Sequence, residues 1–307
     1  MTVAQGIYKT LAYKKQSALG SAESGSGGQL LRRVTAAFNK MKDTYNSDEI
    51  VSHQQYTGDT YGPGKTQAQI DGELSADTYS ELLGSLLRAD FAAVSAITSL
   101  SLTIAGSGPF TVTRSTGSFL TDGVKVGDVV RITAGTYTGT ARDINLLVKA
   151  VTATVLTVLV PNGSSLSAQG PVASSTVTVI GKKSVVPASG HTNDYYTFEE
   201  WYDDLDKSRL YSDVQIASAD ISIPATGNAK ASISALGLSR SKGGSQVLTS
   251  PTAETSTEIL AAANAMILVA GTQTLVGTSL SVKIDGGLQH GEAVIGSNAI
   301  SDITKGD

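Results

Sequence analysis

Between Thr66 and Leu74 polar and apolar residues alternate without a break. Ala68, Ile70, Gly72 and Leu74 point one way; Gln67, Gln69, Asp71 and Glu73 point the other. A period of two belongs to a strand with one buried face. Such a strand needs a sheet to pair in and a core to cover its apolar side. The middle of the chain supplies more of the same texture. SLTIAGSG, FTVTR, VVRITAG, INLLVKAV, TVLTVLV and TVTVIG are short β-branched runs separated by turn residues. Their spacing predicts a small sandwich or barrel over residues 99–186. We therefore expect a mainly β chain. Residues 1–98 and 187–307 form the two parts of a β-sandwich, and the small β module lies between them.

One helix interrupts the pattern. Thr78 and Glu81 have capping-box spacing, and Tyr79, Leu82, Leu83, Leu86, Leu87, Phe91 and Val94 recur at helical intervals. They predict a flanking helix over about 78–94. Two other segments, RRVTAAFNKMKDTY and AAANAMILVAG, read equally as helix or strand.

Gly58 to Thr66 reads GDTYGPGKT and invites comparison with a phosphate-binding loop. The spacing refutes it. Counting back from Gly64-Lys65-Thr66 puts Asp59 where the first glycine must stand. The run also leads into a strand, whereas a phosphate loop hands over to a helix N-terminus. Its Tyr-Gly-Pro-Gly core is turn chemistry, so residues 43–66 are expected to form a long polar loop.

Charged residues are only 16% of the chain, against about 25% in ordinary soluble proteins. A surface so poor in charge favours association, which points to an assembly. The net charge of −4 argues against a nucleic-acid reader or a polybasic membrane binder. There is no cysteine, which excludes disulfides and thiolate metal sites. The N-terminal residues lack the apolar core of a signal peptide, and the most apolar window is too short to span a bilayer. The expectation is a soluble protein made in a cytoplasm.

Catalytic candidates are few. Glu199, Glu200, Asp203, Asp204 and Asp206 are the densest carboxylates, but Lys207 and Arg209 follow them, and a solvated or interface acidic edge is the expected fate. His53, His191 and His290 lie far apart and are expected at the surface or an interface. No G-x-S-x-G elbow and no G-x-G-x-x-G after a strand is present. No catalytic residue, metal or cofactor is assigned. Tyr195 to Tyr202 is rich in aromatics, which leaves a carbohydrate-binding β protein as a rival reading.

Residues 8–91 carry a more specific pattern. Arg33-Val34 precedes the loop, Ser47-Asp-Glu-Ile50 lies within it, and Gly72-Glu-Leu74 ends the alternating strand before the helix. SFLTDGVKVGDVVRI, YTFEEWYDDLDKSRLYSDVQI and GNAKASISALGL continue it. This resembles the major tail tube proteins of long, non-contractile-tailed bacteriophages. The resemblance implies six copies per ring, inner strands joined around a channel, and rings stacked into a virion tube. It implies that DNA passes through the lumen without specific binding, with no membrane involved. It also implies tape-measure, tail-terminator and baseplate proteins as partners. The loop at 43–66 then becomes the inter-ring stacking loop, with Asp43, Ser47, Glu49, Tyr56, Tyr61 and Lys65 as contact residues. Arg32 and Arg33 become candidates for charge pairs with Asp203 and Asp204 across subunits. Gln67, Gln69, Asp71 and Glu73 either line the lumen or are simply wet or in contact with a neighbour; alternation alone assigns faces, not destinations. A single-ring tail-completion, baseplate or capsid-decoration protein is the alternative on the same β plan. Ser297 to Ile300 looks like the start of a second such loop, at which point the family plan would continue with a further strand beyond Asp307.

Overall fold

A computed structural model describes residues 8–48, 58–161, 165–185, 189–265, 267–269, 272–274 and 277–306. The chain divides into two compact units, residues 1–90 with 184–307, and residues 91–183.

The first unit begins with β1 (Lys9–Lys15), β2 (Gln29–Leu30), β3 (Thr35–Asn46), β4 (Asp59–Glu73) and helix α1 (Ser80–Leu86). The second contains β5 (Ala92–Ala93), β6 (Ile97–Ala105), β7 (Phe110–Arg114), β8 (Val129–Ala134), β9 (Leu146–Val151), β10 (Val155–Leu159), β11 (Gln169–Val179) and β12 (Lys182–Lys183). The first unit resumes with β13 (Tyr196–Tyr202), β14 (Lys207–Pro224), β15 (Lys230–Gly237), β16 (Ser239–Gly243), β17 (Ile267–Val269), β18 (Thr272–Thr274), β19 (Ser279–Asp285), β20 (Leu288–His290) and β21 (Ile303–Lys305). Among the described residues the fold is mainly β with one short α-helix. RRVTAAFNKMKDTY resolves into β3. AAANAMILVAG gives a 3-10 turn, Ala262–Asn264, followed by β17.

The first unit is organised by β14. Its sheet runs β2-β1-β13-β14-β15-β4-β3, with β16 and β19 also on β14. The first half of β14 pairs with β13 and β16, the second half with β15 and β19. Between the halves the register on β13 shifts, and Asp213 adopts φ 56°. Aspartate tolerates that region better than most residues. Here it is held on both sides: the Gln16 side-chain oxygen accepts Asp213 N–H at 2.8 Å, and the Asp213 carboxylate accepts Gly20 N–H at 2.6 Å. Aromatic side chains from the two halves meet in one core. Phe38 of β3 lies 4.7 Å from the Tyr211 ring and 5.3 Å from the Phe198 ring, centroid to centroid. The alternation in β4 is realised: Ala68, Ile70 and Gly72 are buried, and Gln67 and Gln69 are exposed.

The helix is shorter than its leucine stripe suggests. Leu82 and Leu86 enter the core, but α1 closes after Leu86. Arg88 turns left-handed at φ 57°, and the amides of Arg88 and Ala89 return to the carbonyls of Ser85 and Gly84 at 3.0 Å each. That is a Schellman stop. Val94, the last member of the stripe, packs in the core of the second unit. The capping box does not form. The Thr78 hydroxyl bonds instead to the hydroxyls of Ser75 (2.5 Å) and Thr255 (2.6 Å).

In the second unit, six strands close into a barrel in the order β10-β7-β6-β11-β8-β9. Alternate residues of each strand point inward. Leu102, Ile104, Val112, Ile132, Leu146, Val148, Leu156 and Val158 fill the interior, with Phe119 beside them. A six-stranded barrel of this size is packed solid by its own side chains. Arg114 is buried against the Phe119 ring and paired with Asp122 at 2.5 Å.

Candidate assembly surface

The segment expected to be a loop over 43–66 is mostly paired strand. β3 and β4 extend beyond the core as an antiparallel arm, with Thr44 opposite Tyr61, Tyr45 opposite Thr60 and Asn46 opposite Asp59. Tyr45 and Tyr61 are both exposed there. The described pairing reaches Asn46 opposite Asp59, and the expected contact residues Glu49 and Tyr56 fall outside the described residues. Thus GDTYGPGKT belongs to β4 rather than to a turn. Its proline is tolerated because the strand bulges. Register passes from Lys42 opposite Gly64 to Thr44 opposite Tyr61, so Gly62 and Pro63 together face Asp43. Lys65 pairs with Asp43 at 3.2 Å within the arm. Ser47, also expected at a ring contact, is exposed just beyond Asn46.

The base of the arm is clamped by the C-terminal segment. Gly64 N–H donates to the Asn298 carbonyl at 3.0 Å, beside a parallel bridge from Gly64 to Ala299. His290 Nε2 lies 3.2 Å from Thr66 O and 3.1 Å from Gly237 O. Both neighbours are acceptors, so Nε2 carries the hydrogen. His290, expected at the surface or an interface, is half-buried and clamps the base of the arm within the subunit.

The polar face of β4 continues across its neighbours. Gln69, Asp71 and Glu73 stand opposite Ser234, Ser232 and Lys230 of β15, which in turn oppose Ser218, Asp220 and Ser222 of β14. Beyond them lie Asp285, Lys283 and Ser281 of β19. Gln69 donates to Ser232 Oγ at 2.6 Å and accepts from Ser234 Oγ at 2.8 Å. Asp71 accepts from Ser232, from Gln69 and from Thr35. These bonds, the one from Ser232 foremost, hold its carboxyl below the usual aspartate range. Gln67 is exposed over a shallow groove that Asn39, Ser234 and Leu236 also line. The face is mostly polar, and Gln69, Asp71 and Ser232 are hydrogen-bonded to one another.

Nearly the whole chain, residues 9–307, matches the family of phage tail tube proteins. The chain belongs to that family. A search of individual curated proteins returned no match. This tail tube protein is a structural component of the virion and not an enzyme, and its family implies self-assembly into a tube.

Most of the remaining candidate residues of the tail tube protein make contacts within the subunit. The cluster expected as a solvated acidic edge is split. Glu199 and Glu200 are buried, at 0% and 2% exposure. Glu199 accepts from the Ser208 hydroxyl (2.5 Å), Val247 N–H (2.8 Å) and Leu248 N–H (2.6 Å), and so pins a loop over the sheet. Glu200 is paired with Lys9 and accepts from the Tyr211 hydroxyl at 3.2 Å. Burial tolerates these carboxylates because each has partners. Asp203, Asp204 and Asp206 occupy the β13–β14 turn. Arg32 donates to the carbonyls of Thr255 and Thr257, and Arg33 to those of Lys9 and Leu31. Tyr196 and Phe198 are fully buried, which removes them from any sugar-stacking surface. Among the described residues no three His, Asp or Glu side chains converge to hold a metal, and no helix is long and apolar enough to cross a membrane.

Proposed function

We propose that this tail tube protein forms rings of six copies that stack into the hollow tube of a long, non-contractile phage tail. The observation that carries the reading is the half-sheet β3-β4-β15-β14-β19. One of its faces is mostly polar, broken by Leu236 opposite Gln67 and Ala37 opposite Gln69, and its outer strands, β3 and β19, pair with no further strand on their outer sides among the described residues. Free edges are templates for pairing with another chain. Joined edge to edge, six such half-sheets close a barrel with Gln67, Gln69, Asp71 and Glu73 toward the lumen. The sign of the charge suits that role. Residues 91–183 hold seven Lys and Arg against three Asp and Glu, a balance of +4. The other unit holds sixteen against twenty-four, a balance of −8. The surplus of carboxylates therefore belongs to the unit carrying the polar face. The face itself sets Asp71, Glu73, Asp220 and Asp285 against Lys230 and Lys283, and a wall of net negative charge repels phosphates and lets DNA slide.

The β3–β4 arm, with Tyr45, Tyr61 and the Asp43–Lys65 pair, is the stacking element between rings. Asp203, in the exposed turn, is open to a neighbouring copy's cation. Tape-measure, tail-terminator and baseplate proteins complete the assembly at its interior and ends. The test is negative-stain electron microscopy of the purified protein and of a variant with an Asn-Gly turn in place of residues 47–58. The full-length protein should give hollow tubes with a regular axial repeat and six-fold end views. The shortened variant should give soluble subunits or single rings. Full-length rings that never stack at any concentration would instead favour a single-ring tail component.

A further inference from the structure

The loop between β20 and β21 carries one isoleucine inward and another outward. Its neck is closed by Gly291 N–H on Asp302 O at 2.9 Å. Ile300 packs with Leu238, Ile303, Leu236 and Leu288 in a small cluster. At the tip, Ser297 N–H returns to Val294 O at 3.1 Å, with Gly296 at φ 85°. This tight turn leaves Val294 59% exposed and Ile295 fully exposed. Among the described residues nothing packs on Ile295. The position has no core to fill, and a polar residue would make the same turn. Single exposed apolar residues are ordinary, but two adjacent ones at a turn tip are a small docking patch.

Both ends of the loop are bonded at the arm's base. His290 at one end of the loop is clamped between Thr66 O and Gly237 O. At the other end the Ser297 hydroxyl braces Ala299, accepting its N–H at 3.2 Å, and Asn298 O receives Gly64 N–H at the arm's base. The loop that carries the apolar tip is therefore anchored at the base of the arm assigned above to ring stacking.

We infer that Val294 and Ile295 are a knob that seats against a second copy of this chain beside the β3–β4 arm. The inference rests on the stacking role proposed for that arm. Preorganisation favours it, because a loop already bonded at both ends in the free subunit loses less entropy on docking.

The full-length chain tests it with Ile295→Asp. A fully exposed side chain contributes no packing, so the variant's circular dichroism and thermal midpoint should match those of the parent. Its critical concentration for tube formation should rise roughly tenfold or more, the range expected when one buried isoleucine contact is lost. A photo-crosslinking residue, p-benzoylphenylalanine, placed at 295 should join two copies in tubes and none in dilute subunits. Unchanged assembly of Ile295→Asp, or crosslinks only within one chain, would overturn the knob. Absence of tubes from the parent protein would instead count against the stacking role itself, so the two failures are separable.

Discussion

Gly72 is the position at which the alternating strand omits a side chain, and the reason is geometric. A Cβ built there falls 1.7 Å from the Tyr79 hydroxyl and 3.0 Å from its ring carbon. Ordinary contact begins near 3.4 Å, so Gly72→Ala forces the hydroxyl back by about 1.7 Å. Tyr79 cannot yield cheaply. It is buried at the start of α1, and its hydroxyl donates to Arg32 O at 2.9 Å. Overpacking costs about 1–3 kcal/mol. Losing the hydrogen bond adds about 1 kcal/mol. Replacing glycine in a strand returns roughly 0.5–1 kcal/mol of backbone entropy. The net expectation is a loss of about 1–3.5 kcal/mol, read as a fall in the urea midpoint at unchanged slope. Tyr79→Phe removes the clashing oxygen. In that background the alanine should cost at least about 1 kcal/mol less, a coupling that a double-mutant cycle measures. A Gly72→Ala protein within about 0.5 kcal/mol of the parent, or strictly additive effects, would refute the steric account.

Lys9→Met should destabilise by about 3–5 kcal/mol, because it removes the ion-pair partner of buried Glu200 and leaves it the Tyr211 hydroxyl as a hydrogen-bond donor and Arg33 as a nearby cation. Adding Glu200→Gln should recover most of that loss in the same denaturation assay. Asp71 gives a pH prediction. Its folded pKa is depressed, so its stabilising contribution is complete above the unfolded aspartate value of about 3.9 and is lost as pH falls through the lower folded value. Ser232→Ala should move the Asp71 carboxyl titration, followed by carbon NMR, back toward the ordinary value and flatten the acid limb of stability. An unmoved titration would mean that Ser232 is not what holds it.

Side-chain direction in a strand is a local property, so the sequence alone determined the faces of β4, the β-branched walls of the barrel and the absence of a phosphate loop. Residues 8–91 also carried the family pattern. What escaped were features that depend on partners far along the chain. The arm's outer pairs, from Thr44 with Tyr61 to Asn46 with Asp59, have no apolar alternation to announce them, because neither face is buried. Glu199 and Glu200 read as solvated because charge usually is; Lys9, Ser208, Tyr211 and the amides of Val247 and Leu248 reversed that. The leucine stripe ran on past Leu86, yet only the Schellman turn at Arg88, held by Thr192 and Asn193, decided where the helix stops. His290 and Asn298 reached the arm's base through the fold of the C-terminal segment alone. Periodicity records which way a side chain points; only the tertiary structure supplies what it meets there.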